Sequence, residues 1–268
     1  MSEPNLPRKS TTAGSFCRNA LAAYALIRAG VLAGTYFITG TDTGVGKTAL
    51  TALLIRRLRA RGLAARAVKP LCSGDRTDAR VLRAAQDDAL SLDEINPWHF
   101  RALIAPLLAA RRQGARILLA EALAYLRRMR VDCDVLLVEG AGGLLSPLGE
   151  DFNARDVIAA LRAVPLVVGV NRLGAINQAL LVIAALPLAA ARRSQVILMS
   201  PGHPDESSQS NAALLGETLG SNRVHLLPRF SRSELCGSTP LSRKVRNTLD
   251  ALVDCASPKK NWHRKTLP

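Results

Sequence analysis

One stretch constrains this chain more than any other: Gly40-Thr-Asp-Thr-Gly-Val-Gly-Lys47-Thr48. A β-rich run, Gly34-Thr-Tyr-Phe-Ile-Thr39, leads into it. From Lys47 the pattern turns helical, with Leu50, Leu53, Leu54 and Leu58 on one face and Arg56, Arg57 and Arg59 pointing away, until Gly62 ends it. A glycine turn between strand and helix is the setting of a phosphate-binding loop. Glycines let backbone N–H groups turn inward around phosphate oxygens, and the helix N-terminus adds partial positive charge at the same place. Lys47 is then placed for the β- and γ-phosphates, and the Thr48 hydroxyl for Mg²⁺. The expected ligand is Mg-ATP. The first glycine stands one residue further from Gly46-Lys47 than in the common GxxxxGK[ST] pattern.

The rest of the chain repeats the strand–helix alternation. Apolar runs at 64–68, 134–139, 165–170, 195–199 and 224–227 read as strands, and helical patterns cover 75–85, 104–112, 116–130, 153–162 and, after the loop Asn171–Gly174, 175–186. This order predicts an α/β fold, a P-loop NTPase-like, doubly wound and mostly parallel sheet with helices on both faces. With apolar residues at 48% but aromatics at only 4%, the core must be built from Leu, Val, Ile and Ala, which suits buried parallel strands. The expected organisation is an N-terminal extension at 1–33, dispensable for activity, a domain at 34–231, and a basic, weakly structured tail at 232–268 with one helix around 242–253.

The net charge of +15 invites a nucleic-acid reading, but residues 1–33 carry net +3 and residues 232–268 net +5, so more than half of it sits in the two ends. A solvated basic tail accounts for that, and neither nucleic acid nor membrane is expected as a partner. The apolar stretch 20–27 is interrupted by Arg28 and falls short of the ~20 residues a spanning helix needs. Cys17, Cys72, Cys133, Cys236 and Cys255 are odd in number, widely spaced and without a CxxC pair. They read as reduced thiols of a cytoplasmic protein rather than metal ligands.

Further residues carry chemistry by position. Glu139 closes the apolar run Asp134-Val-Leu-Leu-Val-Glu139 and points at the phosphate loop, where an acid binds Mg²⁺ or polarises water. Gly140, Ala141, Gly142 and Gly143 follow and permit close backbone approach to a ligand. Lys69 ends the second strand on the same sheet edge as Lys47 and Glu139, yet a lone lysine is most often solvated surface. Asp78 by itself is a helix-start carboxylate. Asn171-Arg-Leu-Gly-Ala-Ile-Asn177 links a strand to a helix and is either an anion site at the first helical amides or a plain connection.

Taken together the motifs resemble the dethiobiotin synthetase family. The likeness runs from about Thr35 to Phe230. It is carried by Tyr36-Phe-Ile-Thr-Gly-Thr-Asp-Thr-Gly-Val-Gly-Lys-Thr48, Val68-Lys-Pro-Leu-Cys-Ser-Gly74, Thr77-Asp78, Ile95-Asn-Pro97, Val138-Glu-Gly-Ala-Gly-Gly143, Val168-Val-Gly-Val-Asn-Arg-Leu-Gly-Ala-Ile-Asn177 and Leu227-Pro228. The resemblance implies ATP-dependent carboxylation of 7,8-diaminopelargonic acid with CO₂ and closure of the ureido ring. It implies that Gly44, Val45, Gly46, Lys47, Thr48 and Ala49 hold the triphosphate, with Glu139, Gly140, Ala141, Gly142, Ser200 and Pro228 also at the nucleotide. Lys69, Lys47 and Thr43 are the implied catalytic groups, Ser73 a contact to the diamine, and Thr48, Asp78 and Glu139 the Mg²⁺ ligands. Gly174, Ala175, Ile176 and Asn177 would bind the substrate carboxylate from the second subunit of a homodimer.

The chain departs from the family pattern in places. Ser200-Pro201 stands where an Asn-Asp pair often reads adenine, Leu107 follows Pro106 where His is frequent, and Gln178 follows Asn177. The segment Asp205-Glu-Ser-Ser-Gln-Ser-Asn211 has no placed counterpart. The competing reading is a partition-type switch ATPase that dimerises on nucleic acid. Its second P-loop lysine is missing, since residues 41–45 are Thr-Asp-Thr-Gly-Val. A corrinoid-type amidating synthetase would need a glutaminase domain for which the chain has no room.

Overall fold

The runs at 134–139, 165–170 and 195–199 become strands because they are buried on both faces, as parallel strands under helices must be, whereas the edge run at 224–227 alternates and exposes Leu226. The structure is a computed structural model that describes residues 34–255; the expectations for 1–33 and 256–268 fall outside the described residues. In chain order the strands are β1 Gly34–Gly40, β2 Ala65–Val68, β3 Leu71–Ser73, β4 Trp98–Phe100, β5 Val135–Gly143, β6 Val164–Val170, β7 Gln195–Met199 and β8 Val224–Leu227. Six form one sheet in the order β2-β5-β1-β6-β7-β8 with every neighbour parallel, and β3 and β4 make a separate parallel pair.

Register sets what meets at the sheet edge. Val68 pairs with Val138, so Lys69 and Glu139, one residue further along each strand, emerge side by side. Ile38 pairs with Glu139 and Gly40 with Gly143, across an irregularity that adds length to β5. The carboxyl ends of β1, β2 and β5 therefore open onto one crevice, the usual ligand position in open parallel sheets.

The helix Lys47–Ala60 buries Leu50, Leu53, Leu54 and Leu58 as its pattern predicts, and also Ala52 and Ile55. The helix Thr77–Ala85 packs along the side that Arg56 and Arg59 flank, and the helix Arg243–Cys255 packs along the side of Leu54 and Leu58 and on β8. There Val245, Leu249, Leu252 and Val253 are buried at helical spacing, and the Asp250 carboxylate takes two bonds from the Arg57 guanidinium at 2.7 and 2.8 Å. This corrects the expectation of a weakly structured tail beyond 231: the expected helix is present, and it is part of the core. The pattern reading missed β3, β4 and the helix Asn211–Leu219. The two strands are too short to show a period, and the helix buries only Asn211, Leu215 and Gly216, so it carries almost no apolar stripe.

Candidate active site

The phosphate loop leaves β1 at Gly40 and enters the helix at Lys47. Gly46 adopts φ 102°, a left-handed conformation that directs the following amides toward the crevice, and a Cβ there would lie 3.0 Å from Met199 Cε. Gly40 has no room for a side chain either, because a Cβ would stand 2.6 Å from the Asp42 carbonyl oxygen. The loop closes on itself through Lys47 Nζ, which donates to that same carbonyl at 2.9 Å.

Beneath the loop sits a compact polar cluster. Glu139 Oε1 accepts from Thr48 Oγ1 at 2.7 Å and from Lys69 Nζ at 2.7 Å. Lys69 Nζ also donates to Asp78 Oδ2, at the start of the helix Thr77–Ala85. Glu139, Lys69 and Lys47 are all buried. Burial lowers the Lys47 ammonium pKa below its ordinary value, and the neighbouring Lys69 charge pushes the same way. Burial acts on Lys69 in that direction too, but the Glu139 and Asp78 carboxylates outweigh it and hold this ammonium above its ordinary value. The carboxylates thus favour the charged form of Lys69, whereas burial disfavours it at Lys47.

One acceptor in the cluster is unused: Glu139 Oε2 is buried and has no hydrogen-bond partner among the described residues. An orphaned buried carboxylate oxygen is costly unless a cation or water meets it. Two carboxylates and a hydroxyl form the hard oxygen set that Mg²⁺ takes, with phosphate oxygens and water completing its octahedron. The residues therefore fit that ion.

These groups line a cleft of about 810 Å³. Thr43, Gly44, Gly46, Lys47, Thr48, Ala49, Lys69, Ser73, Asp78, Glu139, Ala141 and Gly142 all face it, as the sequence reading expects of one site. Val45 and Gly140 lie behind: Val45 is buried, and Gly140 is pressed on Phe37, where a Cβ would come within 2.9 Å of the ring. Ser200 and Pro228 follow β7 and β8, and the Ser200 N–H donates to the Leu227 carbonyl at 3.0 Å. They lie beside the loop through Met199 rather than in the cleft wall. Gly174, Ala175, Ile176 and Asn177 open the helix Ala175–Ala185 after β6, and within one chain they are not brought into the cleft.

The opposite wall was not legible in the sequence. It is apolar, formed by Val81, Leu103, Ile104, Pro106, Pro147 and Leu235. Leu103 is 87% exposed at the loop tip, and Leu235 comes from the short helix Arg232–Cys236. Leu103, Ile104 and Pro147 sit in loops, which have no period to find, and Val81, Pro106 and Leu235 come from three different helices. Their common property is spatial.

The chain matches the family profile described as an AAA domain over residues 34–248. It is 37% identical over 215 residues to the ATP-dependent dethiobiotin synthetase BioD of Anaeromyxobacter sp. (strain Fw109-5), which covers 75% of this chain and 96% of that protein. Against the ATP-dependent dethiobiotin synthetase BioD of Bacillus subtilis (strain 168) the identity is 31% over 206 residues, 73% of this chain and 87% of the relative. Among solved structures, the MinD cell division protein of Aquifex aeolicus superposes with a TM-score of 0.53 at 16% identity, over 82% of this chain and 97% of that one. That likeness shows the fold alone. With the phosphate loop, the Lys69–Glu139 pair and these relatives in agreement, the chain belongs to the ATP-dependent dethiobiotin synthetase family.

Proposed function

We propose that this enzyme uses ATP to carboxylate 7,8-diaminopelargonic acid with CO₂ and to close the ureido ring of dethiobiotin, releasing ADP and phosphate. The observation that carries this reading is the convergence of two ammonium groups, Lys47 and Lys69, with Thr48, Asp78 and Glu139 on the floor of one cleft. Each chemical step develops anionic charge. One amine attacks CO₂ and loses a proton, giving a carbamate. A carbamate oxygen attacks the γ-phosphorus and ADP leaves. The second amine attacks the carbonyl carbon of the mixed anhydride, and phosphate departs as the ring closes. Fixed cations in a water-poor site stabilise such charge without reorganising.

The loop amides of residues 44–49 and Lys47 cradle the triphosphate, with Gly140, Ala141 and Gly142 closing on it from β5. Lys69 is the cation beside the carbamate and the γ-phosphate, and Thr43 lies next to both. Thr48, Asp78 and Glu139 would hold Mg²⁺, which supplies charge neutralisation of the phosphates. Ser73 contacts the diamine, and the apolar wall at Leu103, Ile104 and Pro106 suits its aliphatic chain. Ser200 and Pro228 border the base.

A homodimer completes the site. The helix Ala175–Ala185 buries only Ala175 and Ala179, although it is almost wholly apolar. Leu173, Leu181 and Leu188 stand exposed around it. A second copy covering this face would carry Gly174, Ala175, Ile176 and Asn177 to the partner's cleft, where the first helical amides meet the substrate carboxylate. Free thiols at Cys72, Cys133 and Cys236 fit a reducing compartment, and we assign the enzyme to the cytoplasm. Among the described residues no helix is long and apolar enough to cross a membrane.

The test is direct. Purified protein is mixed with ATP, Mg²⁺, bicarbonate and the diamine. Phosphate release that requires the diamine, with dethiobiotin found by mass spectrometry, is the expected result. Release that ignores the diamine and responds to DNA would overturn the assignment.

A further inference from the structure

Lys69 occupies a place that its proposed partners also claim. Its ammonium donates to Asp78 Oδ2 and to Glu139 Oε1, the latter at 2.7 Å. These are the two carboxylates of the metal set. The Lys69 side chain is 6% exposed and that of Glu139 0%, so neither charge is screened by water. Among the described residues Glu139 Oε2 meanwhile has no partner, although the ammonium lies on its sister oxygen. A cation that bonds one oxygen and ignores the other leaves room for a different cation to take both.

The geometry points to a cation exchange: we propose that the Lys69 ammonium holds the metal seat between Asp78 and Glu139 in the nucleotide-free enzyme and is displaced toward the transferring phosphoryl group when a divalent ion enters with the triphosphate. This rests on the reading of Asp78 and Glu139 as metal ligands and of Lys69 as the catalytic cation. Charge counting gives it direction. Lys47, Lys69, Asp78 and Glu139 sum to zero in the free site. A bare divalent ion would leave it at +2 in a buried place and is disfavoured. A divalent ion that brings a triphosphate does not carry that excess. The catalytic lysine is then released only when there is a phosphate for it to meet. The side chain moves and no bond is made or broken.

The experiment uses the full chain and Mn²⁺ as probe, read by electron paramagnetic resonance without nucleotide. Wild type is expected to bind Mn²⁺ weakly. Lys69→Met, which keeps the length and removes the charge, is expected to bind it at least ten-fold more tightly, and Lys69→Met/Glu139→Gln to lose that gain. In thermal melts without nucleotide, millimolar Mg²⁺ should raise the Tm of Lys69→Met and leave wild type unchanged. If Lys69→Met fails to fold, the wild type still decides, through the ¹⁵N signal of the Lys69 ammonium. That signal should move when Mg²⁺ and a non-hydrolysable ATP analogue are added together, and stay with Mg²⁺ alone. Equal Mn²⁺ affinity in wild type and Lys69→Met, or an ammonium signal indifferent to the metal–nucleotide complex, overturns the exchange. Diamine-dependent phosphate release by the wild type separates this failure from a failure of the proposed function.

Discussion

Thr48 and Glu139 are separated by ninety-one positions, yet Thr48 Oγ1 donates to Glu139 Oε1 at 2.7 Å. The bond ties the first turn of the phosphate-loop helix to β5 just past its pairing with β2. It holds in one place the two oxygen groups expected to share a divalent ion. Thr48→Val keeps the shape and removes the hydroxyl. It leaves a buried carboxylate oxygen with one donor fewer, so a stability loss of about 1–2 kcal/mol is expected. Turnover should fall by two orders of magnitude or more with excess Mg²⁺ giving partial recovery, measured by phosphate release. Full activity at ordinary Mg²⁺ would remove Thr48 from the metal set.

Gly46 offers a second test. Its φ of 102° and the 3.0 Å approach to Met199 leave a side chain both strained and crowded. Gly46→Ala should cost about 1–2 kcal/mol from the left-handed backbone alone and raise the Kd for ATP by ten-fold or more, since the loop amides lose their aim. Isothermal titration with ATP reads the second effect independently of turnover.

The C-terminal helix is a stability element. Leu249 is fully buried against the phosphate-loop helix, so Leu249→Ala should cost about 2–5 kcal/mol. Asp250→Ala breaks the two-bonded pair with Arg57, whose side chains are 27% and 24% exposed, and should cost about 1 kcal/mol because solvent screens part of the attraction. Urea melts give both values. A chain ending at residue 240 that melted like the full one would contradict the packing role of this helix.

Asp205 sets a pH-dependent contribution. The Leu173 N–H and the Ser207 and Ser208 hydroxyls donate to its carboxylate and hold its pKa at about 2. A depressed carboxyl stabilises the fold above its unfolded value of about 4 and loses that contribution as pH falls toward the folded value. The Tm difference between wild type and Asp205→Ala should be constant above about pH 5 and close between about pH 4 and pH 2. A difference that stayed flat down to pH 2 would show that these bonds do not favour the charged form.

An exposed apolar helix face predicts association. The Leu181 side chain is exposed in the single chain, so Leu181→Glu places a charge where a second copy is expected to pack and leaves the core of the single chain untouched. Sedimentation should show a dimer for wild type and a monomer for Leu181→Glu. The monomer should retain ATP binding but lose diamine affinity at least ten-fold, because Gly174 to Asn177 no longer reach a partner's cleft.

Much of this protein was determined locally. Consecutive residues 34–48 carry their own strand, turn and helix instructions, because backbone geometry at glycine and the period of Leu50, Leu53, Leu54 and Leu58 act over a few positions. The central strands β5, β6 and β7 were legible for the same reason: a strand buried on both faces must be a continuous apolar run. Tertiary structure alone decided what those elements share. That Lys69 bridges Asp78 and Glu139 follows from the register of β2 on β5, which no short stretch encodes. That residues 243–253 are core rather than tail was decided by packing, which sets Leu252 and Val253 beside Leu54 and Leu58 and Asp250 on Arg57. The apolar wall of Leu103, Ile104 and Leu235 comes from one loop and a distant short helix, and the distance between them is fixed by the packing of the elements that carry them.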